Sequence, residues 1–164
     1  MAISESLSAE LAQEAKATRK MLERVPAASM DWQPHAKSMT LRKLTGHLTD
    51  INAWVKDIVT KDRLAIEMGN YKAFSPGSVA ELLAKFDGNL VGATAVLKGV
   101  PDAIFMRPWT FAVDGHEVFT LPKIVAIRTM VLSHAYHHRG QLSVFLRLLN
   151  VPLPSVYGPT ADEQ

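Results

Sequence analysis

The sequence predicts an all-α fold, a four-helix up-and-down-type bundle with a short β-hairpin before the last helix. Three observations predict it. Four long segments carry apolar residues every three or four positions, Pro- and Gly-containing stretches separate them, and one interval of β-formers surrounds Asp114-Gly115. A chain of 164 residues with 48% hydrophobic residues is read as one domain, 1–164. A chain of that length buries about 70% of the surface its unfolded form exposes, so it needs no disulfide or structural metal to fold.

The first helix is expected from about Ser4 to Arg24, with Leu7, Leu11, Ala15, Thr18, Leu22 and Val25 on one face. Pro26 stops it, and Pro34 keeps the following stretch irregular. The second helix starts at Thr40, a suitable N-cap, and runs to about Asp62. Leu41, Leu44, Leu48, Ile51, Val55 and Ile58 form its seam. His47 and Trp54 lie one position before Leu48 and Val55, so an inward face at least 100° wide includes them.

The third helix is expected from Pro76-Gly77-Ser78 to Gly99-Val100-Pro101, with Val79, Leu83, Phe86, Leu90, Ala93 and Leu97 as its stripe. Gly88 and Gly92 weaken it. Between Trp109 and Phe119, Asp114-Gly115 favours a type I′ turn with β-formers on both sides. An isolated hairpin is marginal, so this one is expected to pack on helices through Phe111, Val113 and Phe119.

The last helix is expected from Leu121-Pro122, with Pro122 in the first turn, to a stop at Asn150-Val151-Pro152. Its seam reads Ile124, Ile127, Val131, His134, His138, Gln141, Phe145 and Leu148, apolar at both ends and polar in the middle.

Several functions are excluded early. With no cysteine, the chain forms no disulfide and offers no thiolate. No signal-peptide pattern opens it and no apolar run approaches the roughly 18 residues of a membrane span, so a cytoplasmic protein with no membrane partner is expected. The net charge is +2, and although the isoelectric point is near 8.9, the basic residues are dispersed. Binding to phosphate backbones needs clustered cations, so no nucleic-acid partner is expected.

The polar interruption of the last helix is the sharpest signal. Residues four apart differ by about 40° around a helix, so His134 and His138 stack on one face. Burying both imidazoles without partners costs about 1–3 kcal/mol each. Position 137 falls off the seam, which places His137 at the rim. Bundles build sites from facing helices, and His47 is the histidine on the inner face of another expected helix. His35 sits in a connection. His116 follows the hairpin turn and is read as solvated, although a hairpin folded over the bundle mouth brings it near. There is no HExxH motif, no Glu three residues before His47, His134 or His138 as a di-iron bundle requires, and no placed Ser and Asp for a hydrolase triad.

Two segments, Leu44-Thr45-Gly46-His47-Leu48 and His134-Ala135-Tyr136-His137-His138-Arg139-Gly140-Gln141-Leu142, resemble the two histidine motifs of the DinB/YfiT-like metalloenzymes. The tail Val151-Pro152-Leu153-Pro154-Ser155-Val156-Tyr157-Gly158-Pro159 is similar to tails of that family. The resemblance implies a bundle with unusual connections, often a homodimer. It also implies one divalent transition metal, zinc or nickel, on His47, His134 and His138. Some members use low-molecular-weight thiols such as bacillithiol or mycothiol.

Three neutral imidazoles leave at least one open position on an ion, as catalytic rather than closed structural sites do. An all-imidazole set suits zinc, nickel, copper or iron over magnesium or calcium. Each ligand needs an acceptor for its other N–H. Asp50 is one candidate acceptor or a solvated helix residue. Gln141 either orients a ligand water or substrate or bonds within the bundle. Arg139 is an anion binder or, more simply, a surface salt bridge, and Trp54 is read as core rather than substrate platform. Tyr136 and Tyr157 have no assigned role. The expected function is that of a metal-dependent enzyme, a thiol-dependent S-transferase or hydrolase acting on a small electrophile. Its partner is then a small-molecule substrate, including a low-molecular-weight thiol. The alternative is a non-catalytic, stress-linked metal-binding or dimerisation bundle.

Overall fold

In the computed structural model, which describes residues 1–163, the chain is mostly helical with one small sheet. Helix α1 (Ile3–Glu23) keeps the expected seam, and Leu7, Leu11, Ala15, Thr18, Leu22 and Val25 are all buried. Helix α2 (Leu41–Asp50) begins as its cap requires, with the Thr40 side chain accepting a hydrogen bond from the Lys43 backbone N–H.

The second helix does not run unbroken to Asp62. A 3₁₀ turn over Ile51–Ala53 separates α2 from α3 (Trp54–Thr60), although Ile51, Val55 and Ile58 stay on the core. Lys123, only 2% exposed, fixes where α3 ends: its ammonium donates to the carbonyls of Val59 (3.0 Å) and Lys61 (2.6 Å). A cation at a helix C-terminus is favourable, because the last carbonyls there lack partners. Lys123 is remote in sequence, so no local pattern announces this stop.

The chain then enters β1 (Arg63–Ile66), which the sequence reading missed. Strand β1 pairs in parallel with β2 (Pro108–Val113), and β2 pairs antiparallel with β3 (His116–Pro122). The expected hairpin is therefore part of a three-stranded sheet. Asp114 and Gly115 both have positive φ (47° and 80°), as a type I′ turn demands. The hairpin is anchored by Trp109, which is fully buried, with Phe111 and Phe119 packed beside the core. Val113 does not join that core as expected, because it lies at the turn end of β2, away from the helices.

Helix α4 (Val79–Leu97) is capped by the Ser78 hydroxyl, which accepts from the Glu81 N–H. Its buried line is Leu82, Phe86, Ala93 and Leu97, with Val79, Leu83 and Leu90 flanking it rather than forming it. A short helix α5 (Asp102–Phe105), also unforeseen, buries Phe105, and its Asp102 carboxylate accepts from the Ile3 N–H at the start of α1.

The last helical path is α6 (Lys123–Ile127), a π-helical stretch over Arg128–Ser133, then α7 (His134–Leu148). The expected seam holds at Ile127, Val131, His138 and Phe145 but not at every position after the π-helical stretch. Gln141 and Leu148 are exposed, while Leu142 and Leu146 fill the core. A π turn accommodates an extra residue, so residues beyond it are rotated relative to a continuous α-helix. Asn150, with φ 56°, ends the path.

The four expected helices thus resolve into more and shorter segments. Helix α1 packs on α4 and α7, α2 on α4 and α7, and α3 on α4 and α6. Among the described residues, no helix is long and apolar enough to cross a membrane.

Candidate metal centre

The α2–α7 contact brings His47 against His134 and His138. Nε2 of His134 lies 3.1 Å from Nε2 of His47 and 2.8 Å from Nε2 of His138. The three ring centroids are 4.6–4.9 Å apart. His138 is buried and the other two are half-buried, with the Trp54 indole closing one side, 5.7 Å from the His134 ring and 6.3 Å from that of His47. Trp54 is therefore a wall of this cluster rather than a core residue alone.

The opposite nitrogens decide what the cluster can hold. His138 Nδ1–H donates to Gln141 Oε1 at 2.8 Å, and His134 Nδ1–H donates to the Met130 carbonyl at 3.3 Å. With both Nδ1 atoms protonated, the Nε2 atoms of His134 and His138 carry lone pairs that face each other. Two lone pairs cannot hydrogen-bond, and burial makes their repulsion costly. A cation between them removes the conflict. Metal–nitrogen bonds of 2.0–2.1 Å in a tetrahedral site imply nitrogens about 3.3 Å apart, and the observed spacings lie just inside that. The cluster is compatible with a divalent metal.

Burial also sets the protonation state. Desolvation first, then the neighbouring His138 and His134, push the His47 pKa down from 6.5 to about 4. Desolvation is likewise the leading cause that lowers the pKa of His134 and of His138. All three are neutral at pH 7, the form that ligates metals.

Local backbone explains the placement. The π stretch ends at Ser133, immediately before His134, and the Met130 carbonyl that accepts from His134 lies within it. Such π turns occur often at functional sites. Beside His47, a side chain at Gly46 is impossible: a Cβ there would sit 2.2 Å from the Phe74 carbonyl oxygen. The Phe74 N–H in turn donates to Asp50 Oδ2 at 3.0 Å, and an Arg42 guanidinium N–H donates to the Pro76 carbonyl. The 74–76 segment is thus clamped across α2 next to His47.

Asp50 therefore does not orient His47, as one reading of the sequence had it, but holds this segment. Gln141 bonds within the bundle, to His138. Arg139 is no surface ion pair either; it is 4% exposed and points away from the histidines, into a polar cluster with Glu14, Thr18 and Tyr157. His137, His35 and His116 are exposed, so the hairpin does not fold His116 over the cluster.

With the fold and this geometry fixed, kinship can be judged. A family model described as DinB superfamily matches residues 10–142. The chain belongs to the DinB superfamily. Among solved structures it is similar to a DinB-like protein from Bacillus cereus, at 19% identity and a TM-score of 0.71. That match covers 93% of this chain and 97% of the other. A DinB-like protein from Bacillus subtilis aligns at 12% identity with a TM-score of 0.69, over 97% of this chain and 99% of that one. No curated protein matches. At such identities these neighbours establish the shared fold.

Sequence reasoning missed the wall that this DinB-superfamily chain builds from residues 73–76. One signal was present: Gly46 inside a helix costs about 1 kcal/mol relative to Ala, and a close backbone approach accounts for such a residue beside a histidine.

Proposed function

We propose that His47, His134 and His138 hold one divalent transition ion, zinc or nickel, and that the chain is a metal-dependent enzyme. In this reading it is a thiol-dependent S-transferase or hydrolase acting on a small electrophile. The observation that carries the proposal is the convergence of three Nε2 atoms from two helices while Met130 and Gln141 fix two of the opposite nitrogens. Such an ion supplies Lewis acidity and lowers the pKa of a bound water or thiol.

The protein's own contributions are positional. Gln141 and the Met130 carbonyl hold two imidazoles in the tautomer that turns Nε2 inward. Trp54 excludes water from one side. Three protein donors leave at least one position for a small molecule. The extensive apolar core from Leu7 to Leu146 supports a catalytic rather than a structural role for the ion.

The test is elemental analysis of untagged protein, followed by turnover of electrophiles with several thiols, comparing wild type with His138→Ala. One equivalent of zinc or nickel and thiol-dependent turnover are expected in wild type, with both lost in the variant. Metal loss that leaves turnover unchanged rejects the mechanism. A large fall in melting temperature on chelation, with no exchangeable position on the ion, favours the non-catalytic bundle instead.

A further inference from the structure

Two cavities of about 320 Å³ each offer themselves as ligand sites. One lies between α1, α7 and the C-terminal tail, against Tyr136, Arg139 and Tyr157. Its charged lining group, Arg139, already donates to the Glu14 carbonyl, the Glu14 carboxylate, the Thr18 hydroxyl and the Tyr157 hydroxyl. With those donors committed inside the protein, the cavity has no free charge for a ligand.

The other cavity reaches the cluster at His47 and is lined by Met39, Lys43, His47, Ala73, Phe74 and Ser75. Its volume suits a small molecule. Its far wall is the segment that Asp50 and Arg42 fasten to α2 and that Gly46 lets approach, so the wall is built into the fold. Its chemistry is divided. Met39, Ala73 and Phe74 give apolar surface, while Lys43 gives a positive charge.

That charge is unmatched. Arg42, the neighbouring cation, is paired with Asp31 at 2.9 Å. No carboxylate lies within ion-pair distance of Lys43 among the described residues, and Asp50, the acid of the adjoining turns, is engaged by the Phe74 N–H. Lys43 and His47 are four residues apart in α2, on one helix face and separated by about 6 Å of axial rise. A flexible ammonium one turn from a ligand histidine is placed to meet the far end of a molecule whose near end lies at the cluster.

We propose that Lys43 selects substrates with a short apolar body and an anionic group, making it a specificity-determining residue of this cavity. The inference rests on the metal-site reading above. Its test separates the two. The untagged protein, loaded with cobalt(II), is titrated with 3-mercaptopropionate and with the uncharged 3-mercapto-1-propanol, and thiol binding is read from the visible absorption of cobalt. Lys43 is exposed, so wild type is expected to prefer the anionic thiol by roughly two- to fivefold, the range for an exposed ion pair. High salt should shrink the preference. Lys43→Met should bring the two affinities together with cobalt uptake unchanged, and Lys43→Arg should keep the preference. Equal affinities in wild type, or a preference that survives Lys43→Met, overturns this inference alone. Failure of cobalt to bind at the histidines overturns both.

Discussion

Helix α7 carries two buried polar groups on different faces, and they solve the same problem in opposite ways. On one face, Arg139 is enclosed by partners from α1 and the C-terminal tail: Glu14 Oε2 lies at 2.7 Å, and the Tyr136 and Tyr157 rings lie 5.5 and 5.0 Å from its guanidinium carbon. The Tyr157 hydroxyl also donates to Glu14 at 2.6 Å. Every charge there has its counterpart within the chain. On the other face, His134 and His138 are satisfied at Nδ1 and left facing each other at Nε2. A polar cluster complete in itself holds a fold together, whereas one that leaves matched lone pairs converging is suited to a cation. In the proposed reading, the same helix separates stability from function by which donors find protein partners.

The comparison breaks most visibly at Arg139. Arg139→Met removes the buried cation and leaves the partly buried Glu14 with the Tyr157 hydroxyl alone, so stability should fall by about 2–3 kcal/mol in urea unfolding. Metal content per folded molecule should stay the same. If metal is lost at a denaturant concentration where the variant is still folded, the two faces are not independent.

Gln141→Leu sharpens the other side. Gln141 itself is exposed, but it is the acceptor for the buried His138 Nδ1–H, so its loss should lower stability by about 1 kcal/mol. It also removes the acceptor that fixes His138, which should weaken metal binding roughly 10–100-fold. Competition with a chromophoric chelator measures this. An unchanged affinity means that the Gln141 contact does not set the His138 tautomer.

A further effect concerns pH. In metal-stripped protein His47 titrates near 4 when folded, against an ordinary 6.5, with His134 and His138 shifted in the same direction. Between those values the unfolded chain binds protons that the folded one refuses. Stability is therefore full above about pH 6.5 and falls as pH drops toward 4. Urea midpoints across that range, for wild type and His47→Gln, should show a shallower slope in the variant. Equal slopes mean that the position-47 imidazole is not desolvated in the folded state.

How much of this was legible in advance depends on the range of the interaction. The α1 seam, the Thr40 cap and the Asp114-Gly115 turn are local, and each formed where its pattern indicated. The end of α3 and the pairing of β1 with β2 are set by contacts more than 40 residues away, with Lys123 and Thr110–Val113. No window of neighbouring residues contains them. Arg139 was misjudged for the same reason, since its partners Glu14 and Thr18 lie in α1.

By itself, the sequence determined the helical character of the chain, the hairpin turn, and which three imidazoles share an inward direction, because helical period and turn chemistry are written in adjacent residues. Tertiary structure alone decided that these imidazoles meet at Nε2, that Asp50 serves the cavity wall rather than a histidine, and that Lys43 stands uncompensated beside His47. Those outcomes depend on where separate helices and the 74–76 segment come to rest against one another. That placement is fixed by the whole core at once and by no single stretch of it.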